Sequence, residues 1–130
     1  MRIGFSVPNS GEIATVDAVV KIAKRAEELD YNTLWTFERL LYAVTPRDPY
    51  PGTPGASWPE YFRRMLDPLD TLTFIAAQTQ KIFLGTSVLD IPYYNPVVLA
   101  RRLTTIDYLS NGRLRVGCCT IWQTRFFRSG

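Results

Sequence analysis

Three observations predict an α/β fold with parallel strands. Short apolar runs at 2–8, 33–37, 82–90 and from 114 alternate with longer stretches of helical periodicity at 15–29, from 67 and from 95. The runs are apolar on both faces, as strands covered by helices are. The last two units also echo each other: cap residue, proline, apolar helix, basic residue, apolar strand, then Gly with a small residue. Four strands and three helices make half of an eight-stranded (β/α) barrel or a small open sheet. A whole barrel needs about 250 residues, and this chain has 130, read as a single domain over 1–130.

The first strand, RIGFSVP, closes at Pro8 and is followed by the loop NSGE. Thr15 caps the first helix and Asp17 sits in its first turn, where a carboxylate meets the positive end of the helix dipole. Val19, Ile22, Ala23, Ala26 and Leu29 form its apolar stripe, the spacing of a helix packed on a core. DYN ends it, and TLWTF, residues 33–37, is the second strand, leading into Glu38 and Arg39. Residues 39–66 hold five of the nine prolines and form an insertion loop. It is longer than a routine connection, which marks it as functional or mobile. Asp67-Pro68 starts the second helix, with Leu69, Leu72, Ile75 and Ala76 on its buried face. Lys81 leads into the third strand, IFLGTSVLD, and IPYYNP connects it to a second cap-plus-proline start at Asn95-Pro96. Val98, Leu99, Leu103, Ile106 and Leu109 line that helix; Ser110-Asn111-Gly112 stops it, and Leu114-Arg115-Val116-Gly117 opens the fourth strand.

Composition narrows the function classes. Apolar residues make up 46% and charged residues 21%, the balance of an ordinary soluble domain. The net charge of +3 is modest and spread out, and the pairs Arg63-Arg64 and Arg101-Arg102 read as solvated helix faces. A nucleic-acid surface needs a denser basic stripe. No apolar run reaches the ~20 residues of a membrane helix, and MRIGFSVP lacks the parts of a signal peptide, so a cytoplasmic location is expected. The chain has no histidine, which removes His-based dyads and His-based zinc sites. Cys118 and Cys119 are adjacent, a spacing unsuited to a staple or a metal site, and read as two small buried residues near a strand end.

Sites in such folds form at the C-terminal ends of the strands. Four points fall there: Pro8-Asn9-Ser10-Gly11, Phe37-Glu38-Arg39, Gly85-Thr86-Ser87-Val88, and Gly117 to Thr120. The small residues after strand three let a flat ring approach the backbone. That suggests a pocket for a planar cofactor, though the same residues also build plain turns. Glu38 and Arg39 are either an acid and an anion binder or a surface ion pair. Tyr50, Trp58, Tyr61 and Phe62 either favour an apolar or aromatic small-molecule substrate or pack over the barrel mouth. No glycine-rich phosphate loop is present.

Taken together, MRIGFSVP, AEELDYNTLWTFERLLY, YPGTP, WPEY, and the continuous stretch LDPLDTLTFIAAQTQKIFLGTSVLDIPYYNPVVLARRLTTIDYLSNGRLRVG over residues 66–117 resemble the luciferase-like flavin- and deazaflavin-dependent oxidoreductases. The resemblance is to the N-terminal half of that family, nearest to the bacterial subgroup that uses coenzyme F-420, an 8-hydroxy-5-deazaflavin. It implies a TIM barrel, F-420 or alternatively FMN as cofactor, and oxidoreductase or monooxygenase chemistry. It also implies a non-proline cis peptide near Ser87–Val88, in a bulge that presses on the ring. Thr86, Ser87, Val88 and Gly117 are then the expected cofactor contacts, and Glu38 and Arg39 the expected catalytic pair.

Three departures stand out. Arg39 occupies a position where many relatives carry His, and Arg cannot act as a general base; an electrostatic role toward an anionic ring or substrate remains. Cys118 and Cys119 stand where relatives place glycines, narrowing the approach of the ring. The family's second half supplies strands five to eight and most phosphate-binding groups. Its absence leaves two bare sheet edges, so a homodimer that covers them is expected, as is the alternative of a non-catalytic half-barrel that binds cofactor weakly or not at all.

Overall fold

The computed structural model describes residues 1–46, 50 and 57–119. The elements run β1 (Gly4–Ser6), α1 (Val16–Glu28), β2 (Thr33–Thr36), a 3-10 turn (Glu60–Arg63), α2 (Pro68–Ala76), β3 (Phe83–Asp90), a 3-10 turn (Ile91–Tyr93), α3 (Pro96–Leu109) and β4 (Leu114–Cys119). The four strands are parallel and lie in chain order, β1-β2-β3-β4. An open doubly wound sheet reverses its order at a switch point; this sheet does not. The helices also lie in one row, α1 against α2 and α2 against α3. One-directional strand order with helices on one side is the arrangement of consecutive staves of a (β/α) barrel. No helix among the described residues is long and apolar enough to cross a membrane.

Each helix begins where its cap residue stands. The Thr15 hydroxyl accepts from Ala18 N–H at 3.2 Å, the Asp67 carboxylate from Asp70 N–H at 2.9 Å, and the Asn95 side chain from Val97 and Val98 N–H at 3.0 and 3.2 Å. Such caps satisfy donors that the first helical turn leaves free. Helix α3 stops where Asn111 and Gly112 turn to positive φ, 56° and 74°.

The core lies between the sheet and the helices. Val19, Ala23 and Ala26 of α1, Leu72, Ile75 and Ala76 of α2, and Leu34 and Leu84 of the central strands form one cluster. Leu69, Leu89, Leu99 and Ile106 form a second under α3. On the other face, Trp35 fills the sheet's concave side: a Cβ at Gly4 or at Gly85 would run into its indole. The flat ring that Gly85 admits is therefore this protein's own Trp35.

Some expected burial is not observed. Residues of β1 are exposed, as are Leu29, Val98 and Leu109. α3 packs through a single stripe, Leu99, Leu103 and Ile106, and the described residues place nothing against its outer flank. Cys118 is exposed and Cys119 half-buried, because among the described residues β4 pairs with β3 alone. The closing segment 120–130, with Trp122 and Phe126-Phe127, and the YPGTP motif except Tyr50 lie outside the described residues.

The turn between α2 and β3 is clamped from two sides. The Glu27 carboxylate of α1 accepts from the N–H groups of Gln80, Lys81 and Ile82 at 2.7–3.1 Å. Burial alone would raise the Glu27 pKa, yet these three donors hold it below the usual carboxylate value. Arg113, buried before β4, donates to the carbonyls of Ala76, Thr79, Ile82 and Ser110 and to the Thr79 hydroxyl, at 2.7–3.2 Å. Arg113→Met keeps the length and removes every donor, leaving buried carbonyls unmet. We expect it to lower unfolding stability in urea by about 3 kcal/mol, with Arg113→Lys between it and the wild type; equal midpoints for all three proteins would disprove the clamp.

Candidate functional site

At the C-terminal ends of β2, β3 and β4, a cleft of about 350 Å³ opens, lined among others by Glu38, Arg39, Ser87, Val88, Asp90 and Cys119. Tyr50, Tyr61 and Phe62 of the insertion line it as well. The sheet register brings these points together. Thr36 pairs with Thr86, and Thr86 with Val116, so the residues that follow each strand emerge on one level. Between Thr86 and Leu89 the ladder to β4 shifts register in a bulge, which turns Ser87 and Val88 toward the cleft. The Ser87–Val88 peptide is cis, at the bond the resemblance implied.

Thr86 and Gly117 are joined by hydrogen bonds in both directions. Thr86 is fully buried; its hydroxyl donates to Gly117 C=O at 2.9 Å and accepts from Gly117 N–H at 3.0 Å. A Cβ on Gly117 would collide with the Thr86 carbonyl. The pair locks β4 onto the bulge and stands behind Ser87 and Val88, outside the set of residues that line the cleft. Asn9 is likewise buried behind the site, its side-chain amide donating to Phe37 C=O at 2.7 Å and Leu66 C=O at 3.4 Å. It ties the end of β1 to the end of β2 and to the end of the insertion.

Glu38 and Arg39 part company. Glu38 is 8% exposed. Its Oε2 accepts from Asp90 N–H at 2.7 Å and its Oε1 accepts from the Tyr94 hydroxyl. Burial pushes its pKa up, and the Asp90 and Asp67 carboxylates add to that, against the two hydrogen bonds. Arg39 lies over rings of the insertion, its guanidinium carbon 5.1 Å from the Phe62 centroid, 5.2 Å from Trp58 and 5.9 Å from Tyr50. The aromatic insert thus both packs, through buried Trp58 and Phe62, and lines the cleft. Cys119 donates its thiol to Asp90 Oδ1 at 3.4 Å, and burial together with that carboxylate pushes its pKa up. Burial and that carboxylate both disfavour the thiolate, the nucleophilic form of a cysteine.

Tyr94 and Asp90 were not anticipated from sequence. The signal present was the position of the second tyrosine of IPYYNP, directly before the Asn95 cap, which anchors it at the top of α3.

The whole chain, residues 1–130, matches the luciferase-like monooxygenase profile. The chain belongs to that family. Its relatives include an uncharacterized Mycobacterium tuberculosis protein, 34% identical over 78% of this chain and 36% of its own. They also include the F420-dependent glucose-6-phosphate dehydrogenase of Amycolatopsis mediterranei, 32% identical over 90% of this chain and 30% of its own. Among solved structures, the oxygenating constituent of 3,6-diketocamphane monooxygenase from Pseudomonas putida, in complex with FMN, superposes with TM-score 0.67 at 17% identity, over 92% of this chain and 29% of that one. The chain thus spans about a third of the length of the curated relatives it matches, and its fold is part of the luciferase-like barrel.

Glu38 gives the site a pH signature. Its folded pKa lies above the unfolded value, so its contribution is fullest at low pH and is lost as pH rises from the ordinary carboxylate value toward the folded one. The stability of the wild type relative to Glu38→Gln is expected to fall as pH rises above about 4, the ordinary carboxylate value, in urea titrations; a gap that stays constant or widens with rising pH would contradict it.

Proposed function

We propose that the cleft is one wall of a flavin-type oxidoreductase site, taking the ring of coenzyme F-420, with FMN as the alternative, and a small-molecule substrate beside it. The observation that carries this reading is the convergence of Glu38, Arg39, Ser87, Val88 and Cys119 from three strand ends on one ring-sized cleft. The lining suits such a group: the Val88 side chain is an apolar face, Ser87 offers an exposed hydroxyl at its edge, and Arg39 is a cation toward an anionic ring or substrate. When bound, the reduced ring supplies hydride or, for FMN, reactivity toward oxygen.

The chain's own residues have separate tasks in this reading. Ser87 and Val88, held from behind by Thr86 and Gly117, form a firm face against which a ring lies flat. Tyr50, Tyr61 and Phe62 exclude water from above, which strengthens every charge interaction below them. Glu38 is the group that holds or moves a proton at its carboxylate. Arg39 acts through charge.

Absorbance and fluorescence titration tests the reading. Saturable binding of F-420, weaker binding of FMN, and at least about a tenfold loss in Val88→Asp, where a charge would meet the ring without a partner, are expected. Failure of both to saturate at high micromolar concentration would instead favour the non-catalytic half-barrel.

A second copy of the chain is the proposed cover for the sheet edges, where Ile3, Phe5 and Val116 are exposed. Light scattering on a size-exclusion column should give a dimer at micromolar concentration. A stable monomer would remove this part of the proposal.

A further inference from the structure

We propose that Tyr94 is a positioning residue for Glu38, and that the two form a hydrogen-bonded pair that stays joined whether the Glu38 carboxyl is ionised or protonated. Three elements meet at this carboxyl. Glu38 follows β2, Asp90 ends β3, and Tyr94 stands between the 3-10 turn Ile91–Tyr93 and the cap of α3. Both carboxylate oxygens are engaged, Oε2 by Asp90 N–H and Oε1 by the Tyr94 hydroxyl, so the plane of the carboxyl is fixed. Tyr94 is itself held, its N–H bonded to Ile91 C=O at 2.9 Å and its successor Asn95 engaged in the α3 cap.

The choice of a phenol matters. A tyrosine hydroxyl donates to a carboxylate and accepts from a carboxylic acid. The contact therefore survives a change of protonation without moving either side chain, which a purely donating or apolar residue would not allow. The surroundings make the contact necessary. Asp90 of β3 and Asp67 at the start of α2 both oppose a charge on Glu38. Tyr93 of the 3-10 turn and Cys119 of β4 lie close enough to feel it, and Arg39 is its chain neighbour. Arg102 of α3 lies toward the Tyr94 side, but its guanidinium is engaged by Asp67 and Asp70. Against burial and two acids stand the Asp90 amide and the Tyr94 hydroxyl.

The use of this pair toward a bound ring rests on the oxidoreductase reading; the coupling itself is a property of the unliganded chain. It is measured there, by carbon-detected NMR titration of side-chain-labelled Glu and Tyr, with Glu38→Gln and Tyr94→Phe assigning the two resonances. In Tyr94→Phe, the Glu38 midpoint should rise by about one pH unit or more, since the lost hydrogen bond favours the ionised form. In Tyr93→Phe it should stay near the wild-type value. Coupling is reciprocal, so in Glu38→Gln the Tyr94 phenol should ionise at lower pH than in the wild type.

An unchanged Glu38 midpoint in a folded Tyr94→Phe protein would overturn the proposal, and so would an unchanged Tyr94 midpoint in Glu38→Gln. The second arm decides the matter if Tyr94→Phe does not fold. A merely structural tyrosine would lower the unfolding temperature and leave both midpoints in place. Reciprocal shifts in a chain that binds neither F-420 nor FMN would uphold the pairing while removing the oxidoreductase reading.

Discussion

Everything at the top of this sheet depends on a clamp at the bottom. A parallel strand has no hairpin to set its register, so its height relative to its neighbours must be fixed where the chain enters it. For β3 that entry is the turn after α2. Glu27 takes its amides and Arg113 takes its carbonyls. The two charges belong to different units, one to α1 and one to the approach to β4, so a single turn locks three staves together. An anion accepting amides and a cation donating to carbonyls each satisfy groups that would otherwise be buried without partners. The level at which Glu38, Ser87 and Cys119 emerge is set by that arrangement, at the opposite end of the strands.

The cleft combines a firm wall and an electrostatic problem. The firm wall is the bulge of β3, stitched to β4 by the Thr86 hydroxyl and closed against Gly117 without room for a side chain. The electrostatic problem is Glu38, a buried acid with two further carboxylates facing it. Its neighbour Arg39 does not neutralise it through the contacts seen at its carboxylate, both of which come from elsewhere. Arg39 instead holds the aromatic insertion down over the cleft. Two residues adjacent in sequence thus serve opposite sides of the site, one facing inward to the sheet and the other outward to the cover.

Most of the fold was legible because its signals are local. Thr15, Asp67-Pro68 and Asn95-Pro96 mark helix starts through chemistry that acts within one turn, and the Ser110-Asn111-Gly112 stop works the same way. The strands were legible as apolar runs, and Glu38, Ser87 and Val88, read at their ends, line one cleft. What escaped was whatever depends on distant partners. Arg113 resembles any basic residue before a strand until the carbonyls of α2 are brought to it. Tyr94 resembles any loop aromatic until Glu38 arrives from 56 positions away. Gly85 suggested room for a cofactor ring, but β2 supplies Trp35 to that space. The cysteines were expected to be buried, and Cys118 is not, because burial at an edge strand depends on the next strand rather than on residue type.

The strand order carries a consequence for how the molecule is assembled. Each strand pairs with the one that follows it in the chain, so every ladder closes over a loop of one helix and its connections. The entropy of closing such loops grows only slowly with length and is met one unit at a time. Growth of the sheet is therefore additive: each new helix brings its own start signal, each new strand finds a finished neighbour, and nothing already built has to be reopened.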